Sequence, residues 1–210
     1  MIIDTGNEEK EIKIPSIFDV LGIYRDNIEE FAFYKDVFSK EECKDIINFY
    51  NEHGKPQDGL LGEGITDKEV RDCKAYCITE EQEHNDLLFV RHKVHALIQQ
   101  ANERHFKMDL TGVVEPMQFL EYEAPSQHYS AHSDRDYGSI SRKLSISILL
   151  SDPKDCEGGM ISFPHARGIT LEMQQGSMLF FPSFTIHEVL PVTKGKRNSL
   201  VIWATGPSFK

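Results

Sequence analysis

From residue 115 onward, apolar and polar positions alternate in short runs. Leu144, Ile146, Ile148 and Leu150 interleave with Ser145, Ser147 and Leu149, a period of two that predicts a strand. Met117 to Glu123 is another strand-like run, and Gly158-Gly159, Gly168 and Gly176 punctuate turns. Many short strands at regular spacing predict a sandwich or a barrel. Upstream the period changes. Cys43, Ile46, Ile47 and Tyr50 recur at i, i+3, i+4 and i+7, the apolar stripe of a helix. Ser39 and Glu42 predict a capping box at its start, Phe38 and Cys43 a hydrophobic staple, and Gly54 its end. A second helix is predicted over residues 83–103, with Leu88, Val94, Leu97, Ile98 and Ala101 on its buried side. Residues 30–38 and 72–79 read as strands, and residues 1–26 as a polar tail with a short strand.

These elements predict an α+β protein, mainly β with flanking helices. Its length of 210 residues suits a single structural domain. Residues 1–114 would form a helix-and-strand support packed on a core formed by residues 115–210. The chain carries 34 acidic and 23 basic residues, a formal charge of −11. That balance disfavours a generic nucleic-acid or anionic-membrane binder, which needs a basic footprint. Cys43, Cys73, Cys77 and Cys156 show neither a CxxC pair nor zinc spacing, so they read as buried thiols of a reducing compartment. Met1-Ile2-Ile3-Asp4 lacks a basic flank and an apolar core, and no apolar run approaches ~20 residues. The expected location is the cytoplasm.

The candidate chemistry sits in the strand-rich part. His132-Ser133-Asp134 follows a strand-like run, His187 comes 53 residues after Asp134, and Arg197 comes 10 after His187. Two imidazoles and one carboxylate can occupy one face of a metal, leaving positions open for Fe(II) and O2 chemistry. A guanidinium nearby can grip the carboxylate of a second ligand with paired hydrogen bonds. A second triplet, His84-Asn85-Asp86, opens the predicted helix of residues 83–103, where Asp86 suits the positive end of the helix dipole. His92 and His95 lie three apart with no third ligand near, and read as helix-surface histidines.

A longer pattern surrounds these residues. Tyr122, Tyr129-Ser130-Ala131-His132-Ser133-Asp134 and Leu144 to Asp152 are followed by Glu157-Gly158-Gly159 and Gly176 to Pro182. His187 to Val192, Gly195 to Leu200 and Trp203 complete it. Over roughly residues 115–206 the sequence resembles the 2-oxoglutarate and Fe(II)-dependent dioxygenases, nearest the prolyl/lysyl hydroxylase branch with its PKHD-type enzymes. The resemblance implies a double-stranded β-helix core, a cupin-like jelly roll. It implies His132, Asp134 and His187 as Fe(II) ligands and Arg197 and Ser199 on the distal carboxylate of 2-oxoglutarate. Tyr122 would face the cosubstrate pocket and Trp203 would form its wall, while Tyr129 is a weaker candidate. His132, Asp134, His187 and Arg197 would be the catalytic set. Collagen-type prolyl enzymes commonly have lysine where this chain has Arg197, so a prolyl substrate transfers less directly than the cosubstrate site does.

The implied reaction consumes O2 and 2-oxoglutarate, releases succinate and CO2, and hydroxylates a C–H bond. Its substrate would be a protein or peptide side chain, prolyl or lysyl in type, or an amino acid, and ascorbate would serve as reductant. Two other readings stand beside it: a dioxygenase of nucleic-acid bases, and a non-catalytic jelly-roll binding module. The composition sets no oligomeric state. Residues 54–70, with Gly54, Gly59, Gly62, Gly64 and Pro56, read as an irregular loop that covers the substrate, Leu60 and Leu61 being its contact points.

Overall fold

The computed structural model of the protein describes residues 29–61, 64–77, 86–135, 141–166 and 168–207. In chain order the first elements are β1 (Ala32–Tyr34), α1 (Lys40–His53), β2 (Lys55–Asp58), β3 (Arg71–Asp72), β4 (Lys74–Cys77) and α2 (Leu88–Ala101). A π-helical turn, Asn102–Phe106, continues α2. The strands β5 (Gln118–Glu123), β6 (His128–His132), β7 (Arg142–Leu149), β8 (Cys156–Gly158) and β9 (Ile161–Phe163) follow. The last four are β10 (Ile169–Leu171), β11 (Met178–Pro182), β12 (His187–Val189) and β13 (Val192–Thr205). They make two antiparallel sheets, a jelly roll. The major sheet runs β1-β11-β7-β13-β5-β4-β2, with β8 also on β13, and the minor sheet runs β10-β9-β12-β6-β3.

The major sheet is buried on both faces, and the period of two separates their duties. Leu144, Ile146 and Ile148 of β7, Leu200, Ile202 and Ala204 of β13, and Met178 and Phe180 of β11 pack against Cys43, Ile46 and Tyr50 of α1. Val90, Val94 and Ile98 of α2 join the same cluster. Each fully buried apolar side chain of this kind contributes roughly 1.5–3 kcal/mol. The residues in between, such as Ser147, Leu149, Ser199 and Trp203, turn to the other face, toward the minor sheet. There Leu120 and Tyr122 meet Val189, and Leu149, Leu179 and Phe181 meet Ile161 and Phe163.

The helices form for local reasons. The Ser39 hydroxyl accepts from the Glu42 amide at 3.2 Å, and the Glu42 carboxylate accepts from the Ser39 amide at 2.8 Å, closing the capping box. Glu42 also takes the Lys93 ammonium at 2.6 Å, tying α1 to α2. Gly54 ends α1 with φ −78, an ordinary value. It is needed for another reason: a Cβ there would lie 2.5 Å from the Tyr50 carbonyl oxygen.

Several predicted boundaries move. The strand of residues 30–38 shrinks to β1, because Asp36 takes a left-handed turn with φ 54. The strand of residues 72–79 divides at Cys73: β3 pairs with β6 in the minor sheet, and β4 with β5 in the major one. Residues 54–70 are not irregular throughout, since Lys55–Asp58 pairs with Lys74–Cys77. Pro56 is tolerated because β2 is the sheet's edge. The second helix buries Val90 rather than Leu88, which is 39% exposed, so its apolar stripe starts two residues later. The last strand begins at Val192, because Gly195, with φ 72, carries the Lys-Gly-Lys run through a bulged pairing with β8. His84, Asn85 and the tail of residues 1–26 lie outside the described residues. No helix among the described residues is long and apolar enough to cross a membrane.

Gly176 locks α1 to the core. Its carbonyl accepts from the amides of Val37 and Phe38 at 3.1 and 3.0 Å, its φ is 77, and a Cβ would run into the Phe38 carbonyl. Gly176→Ala is therefore expected to cost at least ~2 kcal/mol, from left-handed strain plus collision. Ser39→Ala should cost about 1 kcal/mol through the lost cap. Urea unfolding of the two variants checks both values and their order.

Candidate functional site

The minor sheet brings two histidines together. His187 of β12 and His132 of β6 are direct partners across the antiparallel ladder, and their ring centroids lie 4.3 Å apart. Each ring is aimed by its own backbone. Nδ1 of His132 donates to the Ser130 carbonyl at 2.8 Å, and Nδ1 of His187 to the Thr185 carbonyl at 3.0 Å. A neutral imidazole with its proton on Nδ1 presents a bare lone pair on Nε2. Both Nε2 atoms face Asp134, at 3.6 Å from Oδ1 for His132 and 3.7 Å from Oδ2 for His187. The three ligand atoms lie within 4.8 Å of one another, and they form the one such cluster among the described residues.

Asp134 lies in the segment after β6. The Ser133 hydroxyl fixes that segment by donating to the Ser183 carbonyl at 3.0 Å. Burial alone would raise the Asp134 carboxyl. Its close neighbours His187, His132 and Ser145 outweigh it and hold the group well below the usual carboxylate range. Burial pushes His187 down from its ordinary value, against the pull of Asp134. An ionised carboxylate beside a neutral imidazole is the protonation state a metal requires of its ligands. The donor set, the inward lone pairs and the carbonyl partners behind both rings all fit a divalent transition metal.

The triad opens into a cavity of about 730 Å³ between the sheets. Arg197 lines its far wall and is 3% exposed. One of its terminal nitrogens donates to the Ser199 hydroxyl at 2.8 Å, and its guanidinium sits 5.5 Å from the Tyr122 ring centre. No carboxylate among the described residues pairs with it. A buried cation without a counter-charge costs several kcal/mol, whereas a hydrogen bond to a charged group returns only ~1.5–3. An anion entering the cavity would offset that cost at Arg197. Tyr122 and Trp203 both line it, and the Tyr122 hydroxyl and Trp203 Nε1 are buried without a partner among the described residues. All seven residues marked from the sequence, His132, Asp134, His187, Arg197, Ser199, Tyr122 and Trp203, meet at this cavity.

Other lining residues were marked in the sequence only weakly, for another role, or not at all. Tyr129, the weaker candidate, stacks on His132 with centroids 3.5 Å apart. Arg142 lies 3.7 Å over the Trp203 ring, pairs with Glu115 and donates to the Asp134 carbonyl, bracing both wall and metal segment. Arg71 belongs to the region expected to be support, yet it lines the cavity too. Leu60 and Leu61 also reach it. His92, His95 and His165 are exposed, away from the cluster. His128 binds the Ser126 and Glu69 carbonyls instead of joining the triad.

Residues 117–205 match a family model described as the 2OG-Fe(II) oxygenase superfamily. Among similar proteins, a PKHD-type hydroxylase of Nitrosomonas europaea is 32% identical over 104 residues, 46% of this chain and 46% of its own. One from Azoarcus sp. is 34% identical over 86 residues, 38% of each chain. The chain spans about half the length of the curated relatives it matches. Among solved structures, a Trichoplax adhaerens prolyl hydroxylase in complex with a hypoxia inducible factor oxygen degradation domain peptide fragment matches with TM-score 0.69. It is 19% identical, over 84% of this chain and 83% of its own. A Pseudomonas putida prolyl-4-hydroxylase matches with TM-score 0.65 at 19% identity, over 85% of this chain and 94% of its own. At those identities the two structures share the fold.

The metal-free protein is expected to take up one Co(II) per chain, with visible d–d absorption reporting on the site. His132→Ala or His187→Ala should weaken that uptake by more than the roughly 10–100-fold that loss of an outer-sphere partner costs, with circular dichroism unchanged. Wild-type affinity in either variant would place the metal elsewhere.

Proposed function

We propose, from the match of residues 117–205 to the 2OG-Fe(II) oxygenase superfamily model, that this protein is an Fe(II)- and 2-oxoglutarate-dependent hydroxylase. Its substrate is a peptide or protein side chain, prolyl or lysyl in type, or an amino acid. The observation that carries the reading is one cavity holding both a His-Asp-His cluster and a buried arginine with no carboxylate partner among the described residues. A three-ligand metal site alone suits many chemistries. With an anion clamp across the same cavity, it suits a metal-bound, doubly acidic cosubstrate.

When bound, iron(II) supplies with 2-oxoglutarate and O2 the oxidising power for C–H hydroxylation, the cosubstrate leaving as succinate and CO2. The chain's own residues bind, orient and exclude water. His132, Asp134 and His187 hold the metal from one side. Arg197 and the Ser199 hydroxyl take the distal carboxylate of 2-oxoglutarate in the dry interior, where a planar fork adds geometry to charge. The Tyr122 hydroxyl, lacking a partner among the described residues, is available to the same ligand. Trp203 walls the pocket, and Arg142 keeps it in place through its stacking and its ion pair with Glu115. A peptide substrate is supported by the Trichoplax fold relative, which was solved with a peptide. The charge of −11 weighs against nucleic acid. Ascorbate as reductant and a cytoplasmic location belong to the same proposal.

Anaerobic addition of 2-oxoglutarate to the Fe(II)-loaded protein is expected to give a weak visible charge-transfer band, and admission of O2 to release succinate. Arg197→Lys should raise the apparent KM for 2-oxoglutarate, because an ammonium cannot reproduce the fork. Arg197→Ala should cost more, about 2–5 kcal/mol. Unchanged 2-oxoglutarate dependence in both variants would move the clamp to another residue.

A further inference from the structure

Arg197 is not the only buried cation at the cavity. Arg71 of β3 comes from the opposite, minor sheet, is 8% exposed and lines the same space. Its seat is closely built. Nε donates to Cys73 Sγ at 3.3 Å, one terminal nitrogen to the Leu60 carbonyl at 2.6 Å, and the other to Gln118 Oε1 at 3.4 Å. The guanidinium lies 4.6 Å from the centre of the Tyr129 ring, whose ring stacks on His132. Gly59 leaves room for it, since a Cβ there would come within 2.7 Å of Nε. None of these partners is a carboxylate, and no carboxylate among the described residues pairs with Arg71. A guanidinium has five N–H donors. Three are used, which leaves one on each terminal nitrogen without an acceptor among the described residues.

The contrast with Arg142 gives this weight. That cation lines the same cavity and has Glu115 beside it. Arg71 instead keeps a fixed fork and an unspent charge next to the aromatic ring that touches a proposed metal ligand. Arg197 is matched to the cosubstrate under the reading above, so a second anion is called for, and it must come from whatever else enters the cavity.

We propose that Arg71 determines substrate specificity by binding a carboxylate of the substrate, held beside Tyr129 while the reacting carbon faces the metal. This rests on the hydroxylase reading and narrows its substrate class to molecules bearing a carboxylate near the hydroxylated residue. The carboxylate is a chain terminus or an Asp or Glu side chain. Leu60, whose carbonyl accepts from Arg71, brings the segment around Leu60 and Leu61 to the same place.

The test is equilibrium binding of four probes to the full-length, Fe(II)-loaded protein under nitrogen. Acetyl-prolyl-glycine with a free terminus and acetyl-prolyl-aspartate amide carry the two kinds of carboxylate. Acetyl-prolyl-glycine amide and acetyl-prolyl-asparagine amide are their neutral counterparts, and a lysyl set runs beside them. At least one carboxylate probe should bind about tenfold tighter than its neutral counterpart, and the arm that does so identifies the source of the carboxylate. Arg71→Gln should reduce that preference to about twofold or less, and Arg71→Lys should retain part of it, which a packing role would not. 2-Oxoglutarate binding is measured in parallel. A wild type that binds 2-oxoglutarate but shows no preference, or binds no probe, overturns the Arg71 proposal and spares the hydroxylase reading. Arg71→Gln that loses 2-oxoglutarate rather than the preference makes Arg71 a cosubstrate residue and also overturns it. A wild type that keeps the preference yet never binds 2-oxoglutarate supports Arg71 as a carboxylate site and removes the hydroxylase reading instead.

Discussion

The pairing of His187 with His132 across one antiparallel ladder is the constraint on which the site depends. Directly opposed residues on one sheet face hold their Cβ atoms about 4.5–5.5 Å apart. Two imidazoles distant in sequence are therefore neighbours before any metal arrives. Because side chains alternate along a strand, a register slip of one residue would turn either ring to the other face. The register is secured on both flanks, by β9 against β12 and by β3 against β6. The carbonyl groups two residues before each histidine then set the tautomer. Geometry and protonation both follow from the backbone.

The major sheet solves a different problem, because one surface must be core and site at once. Its helix-facing residues in the central strands are mainly apolar. The cavity face admits Ser147, Tyr122, Arg197 and Ser199 among apolar neighbours. Polar groups at such depth need partners. Arg197 takes Ser199 from its own strand, two residues on and hence on the same face. Gly159 has to be a glycine here, with φ 66 and a Cβ that would lie 2.7 Å from Arg197 Cδ. The buried cation is held by close backbone approach on one side and by a hydroxyl on the other.

What the sequence revealed and what it hid divide along physical lines. Period-two alternation, a capping box and the joint spacing of His132, Asp134, His187 and Arg197 are local or nearly local, and each was readable. The helix over α1 was legible down to its cap because Ser39 and Glu42 act on the backbone beside them. Pairing partners are not local. Nothing in Lys55–Asp58 announces an edge strand, since four exposed residues with a proline lack apolar alternation and are ordered by β4 alongside. Nothing in Arg71-Asp72 announces a cavity wall either: two residues make a strand only because β6 offers its edge. The split at Cys73, which sends β3 to one sheet and β4 to the other, is the event that carries Arg71 inside, and it leaves no compositional trace.

The three cavity arginines show how an acidic chain can still concentrate positive charge around one cavity. Net charge acts at long range and is screened beyond about 8–10 Å at physiological salt. A binding cavity is decided by local compensation instead. Arg142 is neutralised by Glu115, so its role becomes mechanical: it stacks on Trp203 and holds the Asp134 carbonyl. Arg197 and Arg71 are met by a serine hydroxyl, a thiol, a carbonyl and an amide. Those groups fix orientation and leave charge unspent. Placed on opposite sheets, the two cations cannot relieve each other, and their repulsion is itself lessened when anions enter. A carboxylate bound at either arginine therefore lowers the cost of the other cation's burial arrangement only through that shared field. An anion at one wall also weakens the field that draws an anion to the other, so the two walls should load with modest mutual hindrance while each keeps its own geometric selectivity.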